Sequence, residues 1–419
     1  MDKEVIKSII TAKQREILGL ELLERPLDIE KNMNYVFVGL RRAGKSYMLY
    51  QHIQALVKSK RAAIEDILFV NFEDERFGDL QAKDLDLFLE AYKELYNRKP
   101  IVFLDEIQNI KGWEKFARRL ADSKCRVFIT GSNAKMLSKE IHSTLGGRFL
   151  VKETYPFSFE EYLNFNKTRL PENWEYNSDL CAKAARLFKG YFYDGGFAES
   201  FLLQDKRSYL NSLYQKILLG DIIARNAIRN DNAIKLLVKK LAESVLQPTS
   251  ANRLKNIISS TGISVSRNTL IDYLKFLEDS YLIFGISNYS DKLSDKETIK
   301  KRYFWDNGLL NIFLFDSDTK LLENIVAIKL TKIYGENLFF YRKNIEVDFF
   351  IPSEKRAIQV SYSIEDEASR QREIKALLKL SEAYPLKHLE IITFSAADTI
   401  TENGKTIKVV PIWKWLLSK

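Results

Sequence analysis

Gly39-Leu-Arg-Arg-Ala-Gly-Lys-Ser46 fits the pattern G-x-x-x-x-G-K-S/T, and that pattern narrows the folds open to the chain more than any other stretch. Such a loop works only where a strand delivers the backbone to a tight turn and a helix carries it away, so that N–H groups and a helix N-terminus face one anion. Both flanks meet the demand. Tyr35-Val-Phe-Val38 is an apolar run suited to a buried strand, and helical spacing runs from Tyr47 to Ala55. Gly39 and Gly44 permit the turn, Leu40, Arg41, Arg42 and Ala43 span it, Lys45 reaches the β- and γ-phosphates of a nucleotide, and the Ser46 hydroxyl suits Mg²⁺. Tyr47 follows in the first helical turn. Arg41 and Arg42 add cations beside the same phosphates.

Three further apolar runs, Ile67–Phe72, Ile101–Leu104 and Arg126–Thr130, alternate with helical patterns, which predicts a parallel α/β sheet. Asp105 and Glu106 close the second of these runs at the carboxyl edge, where ligands collect in open parallel sheets. The pair reads as a Walker B: Asp105 for Mg²⁺ and Glu106 to orient the attacking water. Thr130-Gly-Ser-Asn133 ends the next run in small polar residues, so Asn133, or Ser132 beside it, is the expected γ-phosphate sensor. Leu145-Gly-Gly-Arg148 presents Arg148 in a glycine-flexed loop, either as an arginine finger acting on its own or a neighbour's nucleotide or as a surface arginine.

The chain's 419 residues, 46% hydrophobic and 12% aromatic, suffice for two or three domains with real cores. No apolar run approaches the length of about 18 residues that a membrane span needs, and Met1–Lys7 lacks a signal peptide's apolar core, so a cytoplasmic protein without a membrane partner is expected. Two cysteines, Cys125 and Cys181, and three histidines offer neither a disulfide framework nor a zinc cluster, leaving Mg²⁺ on oxygen ligands as the expected metal. A net charge of +9 favours anionic partners.

Val38-Gly-Leu-Arg-Arg-Ala-Gly-Lys-Ser46, Leu104-Asp-Glu-Ile-Gln108, Ile129-Thr-Gly-Ser-Asn133, Leu145-Gly-Gly-Arg148 and Tyr155-Pro-Phe-Ser-Phe-Glu-Glu-Tyr-Leu163 together resemble the large prokaryotic family of AAA-type ATP-binding proteins that carry a C-terminal domain of unknown function. Tyr191-Phe-Tyr-Asp-Gly-Gly-Phe-Ala-Glu199, Leu219-Gly-Asp-Ile-Ile223 and Leu322-Glu-Asn324 extend the resemblance over most of the chain. It implies an ASCE-class P-loop fold, ATP rather than GTP, and ATP hydrolysis.

The expected organisation is an ATPase domain over 1–160, a helical lid or linker over 161–229, a winged helix over 230–310 and an α/β domain over 311–419 resembling a PD-(D/E)xK nuclease core. In the winged helix, Ser264 or Ser266 caps the second helix of a helix-turn-helix, so Ser266, Arg267 and Asn268, with Arg253 and Lys255 on the preceding helix, are the candidate DNA-facing group. From Arg229 to Arg302 the chain holds 13 basic and eight acidic residues, a local excess that favours DNA, although winged helices also serve in dimerisation and protein docking. The nuclease-like core offers Glu323 and Asp348 as carboxylates, but Gln359-Val-Ser361 stands where Glu-x-Lys is required. A degenerate, non-cleaving domain is expected, with Lys343 or Lys355 as candidates to substitute for the missing lysine. The leading expectation is an ATPase whose nucleotide cycle controls engagement of DNA, branched DNA included, in a homo-oligomer with Arg148 acting in trans. The alternative is a nucleotide-dependent signalling or conflict-system switch acting on a protein partner.

Overall fold

A computed structural model describes residues 2–78, 80–132 and 145–418, and the chain divides into two compact units, Met1–Tyr155 and Pro156–Lys419. The N-terminal unit runs α1 (Lys3–Gly19), β1 (Asn34–Val38), α2 (Lys45–Lys58), β2 (Ile67–Asn71), α3 (Asp86–Tyr96), β3 (Ile101–Asp105), α4 (Trp113–Asp122), β4 (Val127–Gly131) and β5 (Phe149–Glu153). Asp2 starts α1 by accepting the Glu4 N–H, and Ile6, Ile9, Ile10 and Ile17 lie buried along one face of that helix. The strands form one parallel sheet in the order β2-β3-β4-β1-β5, placing β4 between the strand that leads into the loop and the strand that ends in Asp105. Phe37, Phe69, Phe103 and Phe128 fill the sheet's core at no more than 1% exposure, with Phe103 stacked on Phe128 at 4.8 Å. Each such ring stabilises the fold by roughly 1.5–3 kcal/mol, so the carboxyl edge, where β1 and β3 deliver their functional residues, rests on a rigid base.

The C-terminal unit begins with α5 (Phe159–Phe165), α6 (Ser178–Asp194) and α7 (Lys206–Lys216), the last running into a π-helical stretch at Ile217–Ala224. There follow α8 (Asp231–Glu243), β6 (Thr249–Ser250), α9 (Ala251–Ser259), α10 (Arg267–Asp279), β7 (Ile283–Asn288), α11 (Leu293–Thr298), β8 (Ile299–Phe304) and α12 (Asn307–Asn311). The remainder is α13 (Asp318–Tyr334), β9 (Phe339–Arg342), β10 (Glu346–Ile351), β11 (Arg356–Val360), α14 (Glu367–Ala383), β12 (His388–Thr393), β13 (Asp398–Glu402), β14 (Lys405–Pro411) and α15 (Ile412–Leu417).

Nine strands of this unit form a single sheet, β13-β14-β12-β11-β10-β9-β7-β8-β6. The junction is narrow. β7 pairs with β9 in parallel through Ser287 opposite Phe339 and Asn288 opposite Phe340. The buried Asn288 side chain then donates to the Arg342 carbonyl at 2.8 Å and accepts the Arg342 N–H at 2.9 Å. The β7–β8 hairpin and the layer built on β9–β12 therefore share one sheet, across the boundary that the sequence places at 310. β14 and β13 extend the sheet beyond β12, the last strand read from the sequence, with Ile407 and Val409 of β14 buried, and α15 follows β14.

The Gly195-Gly196 pair, which interrupts the helical pattern, makes room for Asp306. Gly195 ends α6 with φ +76°, and a Cβ there would lie 2.2 Å from Asp306 Oδ1. The Gly196 N–H donates to Asp306 Oδ2 at 2.7 Å and the Leu309 N–H to Oδ1 at 3.0 Å, so this carboxylate caps α12 and ties α6 to it. Burial pushes the Asp306 carboxyl up to about 6, although the N–H groups of Gly196, Leu309 and Gly308 draw it down.

Candidate functional site

The loop after β1 takes left-handed backbone at Arg42 (φ +66°) and Gly44 (φ +96°), and Gly39 (φ +145°) passes so close to the exit of β5 that a Cβ would lie 1.9 Å from the Thr154 carbonyl oxygen. A side chain at position 39 would push the loop off the sheet. The Thr154 N–H pins the same point by donating to the Val38 carbonyl at 2.6 Å. Among the described residues no side chain caps α2, which leaves its first N–H groups for an anionic ligand. Lys45, buried, donates to the carbonyls of Gly39 and Leu40 at 3.2 Å each, and its Nζ stands 3.7 Å from Glu106 Oε1. Arg41 pairs with Glu73 at 2.9 Å, while Tyr47 is exposed and leans on Tyr50 with ring centroids 5.6 Å apart.

At the edge of β3 and β4 the hydrogen bonds converge on Asp105. Ser46 Oγ donates to Asp105 Oδ1 at 3.0 Å and Thr130 Oγ1 donates to the same oxygen at 2.6 Å. Thr130 Oγ1 also accepts the Glu106 N–H at 2.8 Å, so one hydroxyl positions both carboxylates. Burial pushes the Asp105 carboxyl up to about 6; the Thr130 bond works against it, Glu106 adds to it, and Ser46 and Lys45 oppose it. Glu106 is held in the left-handed region at φ +52°, a rare setting for a residue with a side chain. Gln108 Nε2 donates to Glu106 Oε2 and, at 3.3 Å, to Ser132 Oγ, whereas Gln108 Oε1 is buried and without a hydrogen-bond partner among the described residues.

An orphaned acceptor beside a carboxylate is a place for a water, and the hydroxyl–carboxylate pair of Ser46 and Asp105 is a hard oxygen donor set that fits Mg²⁺. This edge can therefore take a triphosphate on the loop and a water on Glu106. Three of its participants escaped the sequence reading. Thr130 and Gln108 stood inside quoted motifs without an assigned role. Arg25, which braces the loop by donating to the Ala43 carbonyl at 2.9 Å and the Tyr155 carbonyl at 3.0 Å, lies in a stretch with no periodicity to mark it.

Of the remaining candidates, Asn133 lies outside the described residues, and its alternative, Ser132, is buried just after β4. Arg148 precedes β5, whose Phe149 pairs with Asn34 at the start of β1, so it sits at the sheet edge opposite the loop. Five strand residues, about 16 Å, separate the two edges. Its Nε donates to Asp122 Oδ1 at 2.6 Å instead. Reach onto the nucleotide of its own chain is thereby excluded.

In the C-terminal unit Ser266, rather than Ser264, caps α10 by accepting the Thr269 N–H at 3.0 Å, which leaves Arg267 and Asn268 exposed in the first turn. Arg253, exposed, and Lys255, half-buried, lie on α9, capped by Ser250. On the shared sheet Glu323 from α13 and Asp348 from β10 meet a cation that the sequence did not assign to them: Lys301 of β8, whose Nζ is 3.3 Å from Glu323 Oε1 and 3.2 Å from Asp348 Oδ1. Lys343 and Lys355, the substitutes considered from sequence, are exposed in the turns on either side of β10. Gln359 is fully engaged: its Oε1 accepts the Asp348 N–H at 2.8 Å, and its Nε2 donates to the Glu346 carbonyl at 3.2 Å and to Glu373 Oε2 at 2.7 Å. Burial would lower the Lys301 ammonium, but Glu323, Asp348 and Glu346 outweigh it and hold the group above the ordinary lysine range; burial raises the Glu323 carboxyl, while Lys301 and Tyr303 draw it down.

Residues 31–163 match the family described as an AAA domain, and residues 185–320 match a domain of unknown function (DUF8612). The uncharacterized protein MJ1544 of Methanocaldococcus jannaschii is 34% identical over 437 residues, covering 100% of this chain and 96% of its own length. An uncharacterized protein of Haemophilus influenzae is 30% identical over 305 residues, covering 71% of this chain and 74% of its own. The Walker-type ATPase PABY2304 of Pyrococcus abyssi aligns at 13% identity with a TM-score of 0.42, over 74% of this chain and 95% of that one.

Proposed function

Because this chain belongs to one family with the uncharacterized protein MJ1544 of Methanocaldococcus jannaschii and carries an AAA domain over residues 31–163, we propose that it binds and hydrolyses ATP and that the nucleotide cycle controls engagement of DNA, branched DNA included, by the C-terminal unit. The observation that carries the reading is the convergence of Lys45, Ser46, Asp105, Glu106 and Thr130 on one sheet edge. In this scheme the N–H groups of the loop from Gly39 to Gly44 and of the first turn of α2 cradle the phosphates, and Lys45 exchanges its two loop carbonyls for phosphate oxygens. Ser46 and Asp105 hold Mg²⁺, which when bound neutralises charge on the phosphates. Glu106 orients the attacking water, Gln108 fixes the carboxylate and offers Oε1 to the same water, and Asn133 or Ser132 senses the γ-phosphate. Arg148, at the sheet edge opposite the loop, acts in trans on the nucleotide of a neighbouring copy.

For DNA, the support is the exposed first turn of α10, where Arg267 and Asn268 follow a capped N-terminus, together with Arg253, exposed on α9. The test is the ATPase rate without nucleic acid and with duplex, single strand and four-way junction, each across a salt series. Stimulation that fades with salt, loss of turnover in Lys45→Ala and a loss of at least about 100-fold in Glu106→Gln are expected. A wild-type rate that no DNA alters, with no binding at low salt, refutes the DNA assignment; turnover that survives Lys45→Ala refutes the site.

A further inference from the structure

The nuclease-like layer, α13-β9-β10-β11-α14-β12, brings Glu323 and Asp348 to the place where such a core would bind a divalent metal, and the residues present do not fit one. Lys301 enters from β8, two residues before Tyr303 and on the same face of that strand. Its three ammonium protons find three carboxylates: Glu346 Oε1 at 3.1 Å, Asp348 Oδ1 at 3.2 Å and Glu323 Oε1 at 3.3 Å. Tyr303 donates to Glu323 Oε1 at 2.6 Å, and the Val360 N–H occupies Asp348 Oδ2 at 3.0 Å. A metal at about 2.0–2.6 Å from these oxygens would have to sit against a fixed positive charge that already claims them.

The ammonium has no way out. Lys301 is 1% exposed, anchored in β8 between β7 and β6 and set over the Phe340 ring at 5.5 Å, so leaving the cluster would strand a charge in the core. We propose that Lys301 replaces a divalent cation in this cluster, making the site metal-free and non-cleaving and turning it into a charged clasp between the β7–β8 hairpin and the α13–β12 layer. The clasp reinforces the narrow β7–β9 junction with an ionic contact that spans both parts of the sheet. The open cavity of about 730 Å³ above it agrees with a site unsuited to a phosphodiester: Glu373, Glu382 and Glu402 join the carboxylates of the cluster, against Arg372, Lys375 and Lys379.

Mn²⁺ alone, titrated into the nucleotide-free full-length chain and read by calorimetry and paramagnetic resonance, tests the inference; all samples carry Asp105→Asn to silence the nucleotide edge. With Lys301 in place, the isotherm should be the same whether residue 348 is Asp or is changed by Asp348→Asn. Adding Lys301→Ala should create one saturable Mn²⁺ site that Asp348→Asn abolishes, and Mn²⁺ should recover part of the melting temperature that Lys301→Ala loses in chelator. An Asp348-dependent Mn²⁺ site in the chain that keeps Lys301, or metal-dependent plasmid nicking lost in Asp348→Asn, overturns the proposal. A folded Lys301→Ala that gains no site overturns it too. Should that variant fail to fold, the comparison of Asp348 with Asp348→Asn in the presence of Lys301 still decides the question.

Discussion

Thr130→Val probes the nucleotide edge at its most concentrated point, because it removes one hydroxyl while keeping the branched shape of the side chain. Two bonds go with it. The donation to Asp105 Oδ1 at 2.6 Å is to a carboxylate in a buried setting, and such bonds contribute roughly 1.5–3 kcal/mol. The Glu106 N–H, donating at 2.8 Å, loses its acceptor in a part-buried position, a loss of about 1–2 kcal/mol once some solvent access is allowed. Together the substitution should destabilise the N-terminal unit by about 2.5–5 kcal/mol. For a unit of about 150 residues that corresponds to roughly 5–20 °C of melting temperature. Hydrogen exchange in peptides covering β3 and β4 of the full-length chain reads the loss where it arises. Turnover is a second readout, since Glu106 would lose the anchor that keeps its backbone left-handed; a drop of about 10–100-fold is expected, with Thr130→Ser restoring most of both quantities. Exchange in β3 and β4 within about 1 kcal/mol of wild type, with turnover within about twofold, would refute the claim that this hydroxyl organises the site.

Arg148→Ala should shift stability by no more than about 0.5 kcal/mol, since its partner Asp122 and the guanidinium itself are both well exposed. If Arg148 serves a neighbour, the same change lowers turnover by at least about 1,000-fold, and mixing Arg148→Ala with Glu106→Gln restores activity; full activity in Arg148→Ala alone ends the trans reading. Asp306 gives a pH signature. Its folded pKa, about 6, lies above the ordinary aspartate value, so the folded chain holds the extra proton and stability declines as pH rises from about 4 to about 6. Urea unfolding should show that decline in wild type, at up to about 1.4 kcal/mol per pH unit, and a flatter profile in Asp306→Asn, whatever the variant's absolute stability. Parallel profiles would remove Asp306 as its source.

The parts of the nucleotide site that were legible in the sequence are those where chemistry dictates contiguous residues. Lys45 and Ser46 must follow Gly44, and Asp105 must end an apolar strand, so the loop and the Walker carboxylates could be read without tertiary information. Thr130 shows the limit: a small polar residue at a strand end is visible, but only the β3–β4 pairing reveals that its hydroxyl faces Asp105 rather than a phosphate. For Arg148 the glycine-flexed loop left action on its own or on a neighbour's nucleotide open, and strand direction bears on the first of these. In a parallel sheet a residue just before a strand lies at the edge where strands begin, and the phosphate loop follows β1 at the edge where they end. Strand direction alone would have excluded the cis role.

Lys301 was hidden for the opposite reason. It stands in the basic run Lys300-Lys301-Arg302, and its residue type counted toward the local positive excess offered in favour of DNA. Strand alternation does place Lys301 on the face of the fully buried Tyr303, a sign that one of the three cations points inward. What alternation cannot supply is the partner, because Glu323, Glu346 and Asp348 reach it only after β7 has paired with β9 and merged two segments into one sheet. The basic excess must accordingly be discounted: Lys301 is neutralised inside the sheet, and Arg302 is buried against Thr249 and Glu278. Any affinity for a polyanion rests on the cations that remain exposed, Arg267 foremost, and Arg267→Ala should weaken duplex binding and lower the salt slope by about one charge, whereas an unchanged slope would move the nucleic-acid contact away from α10.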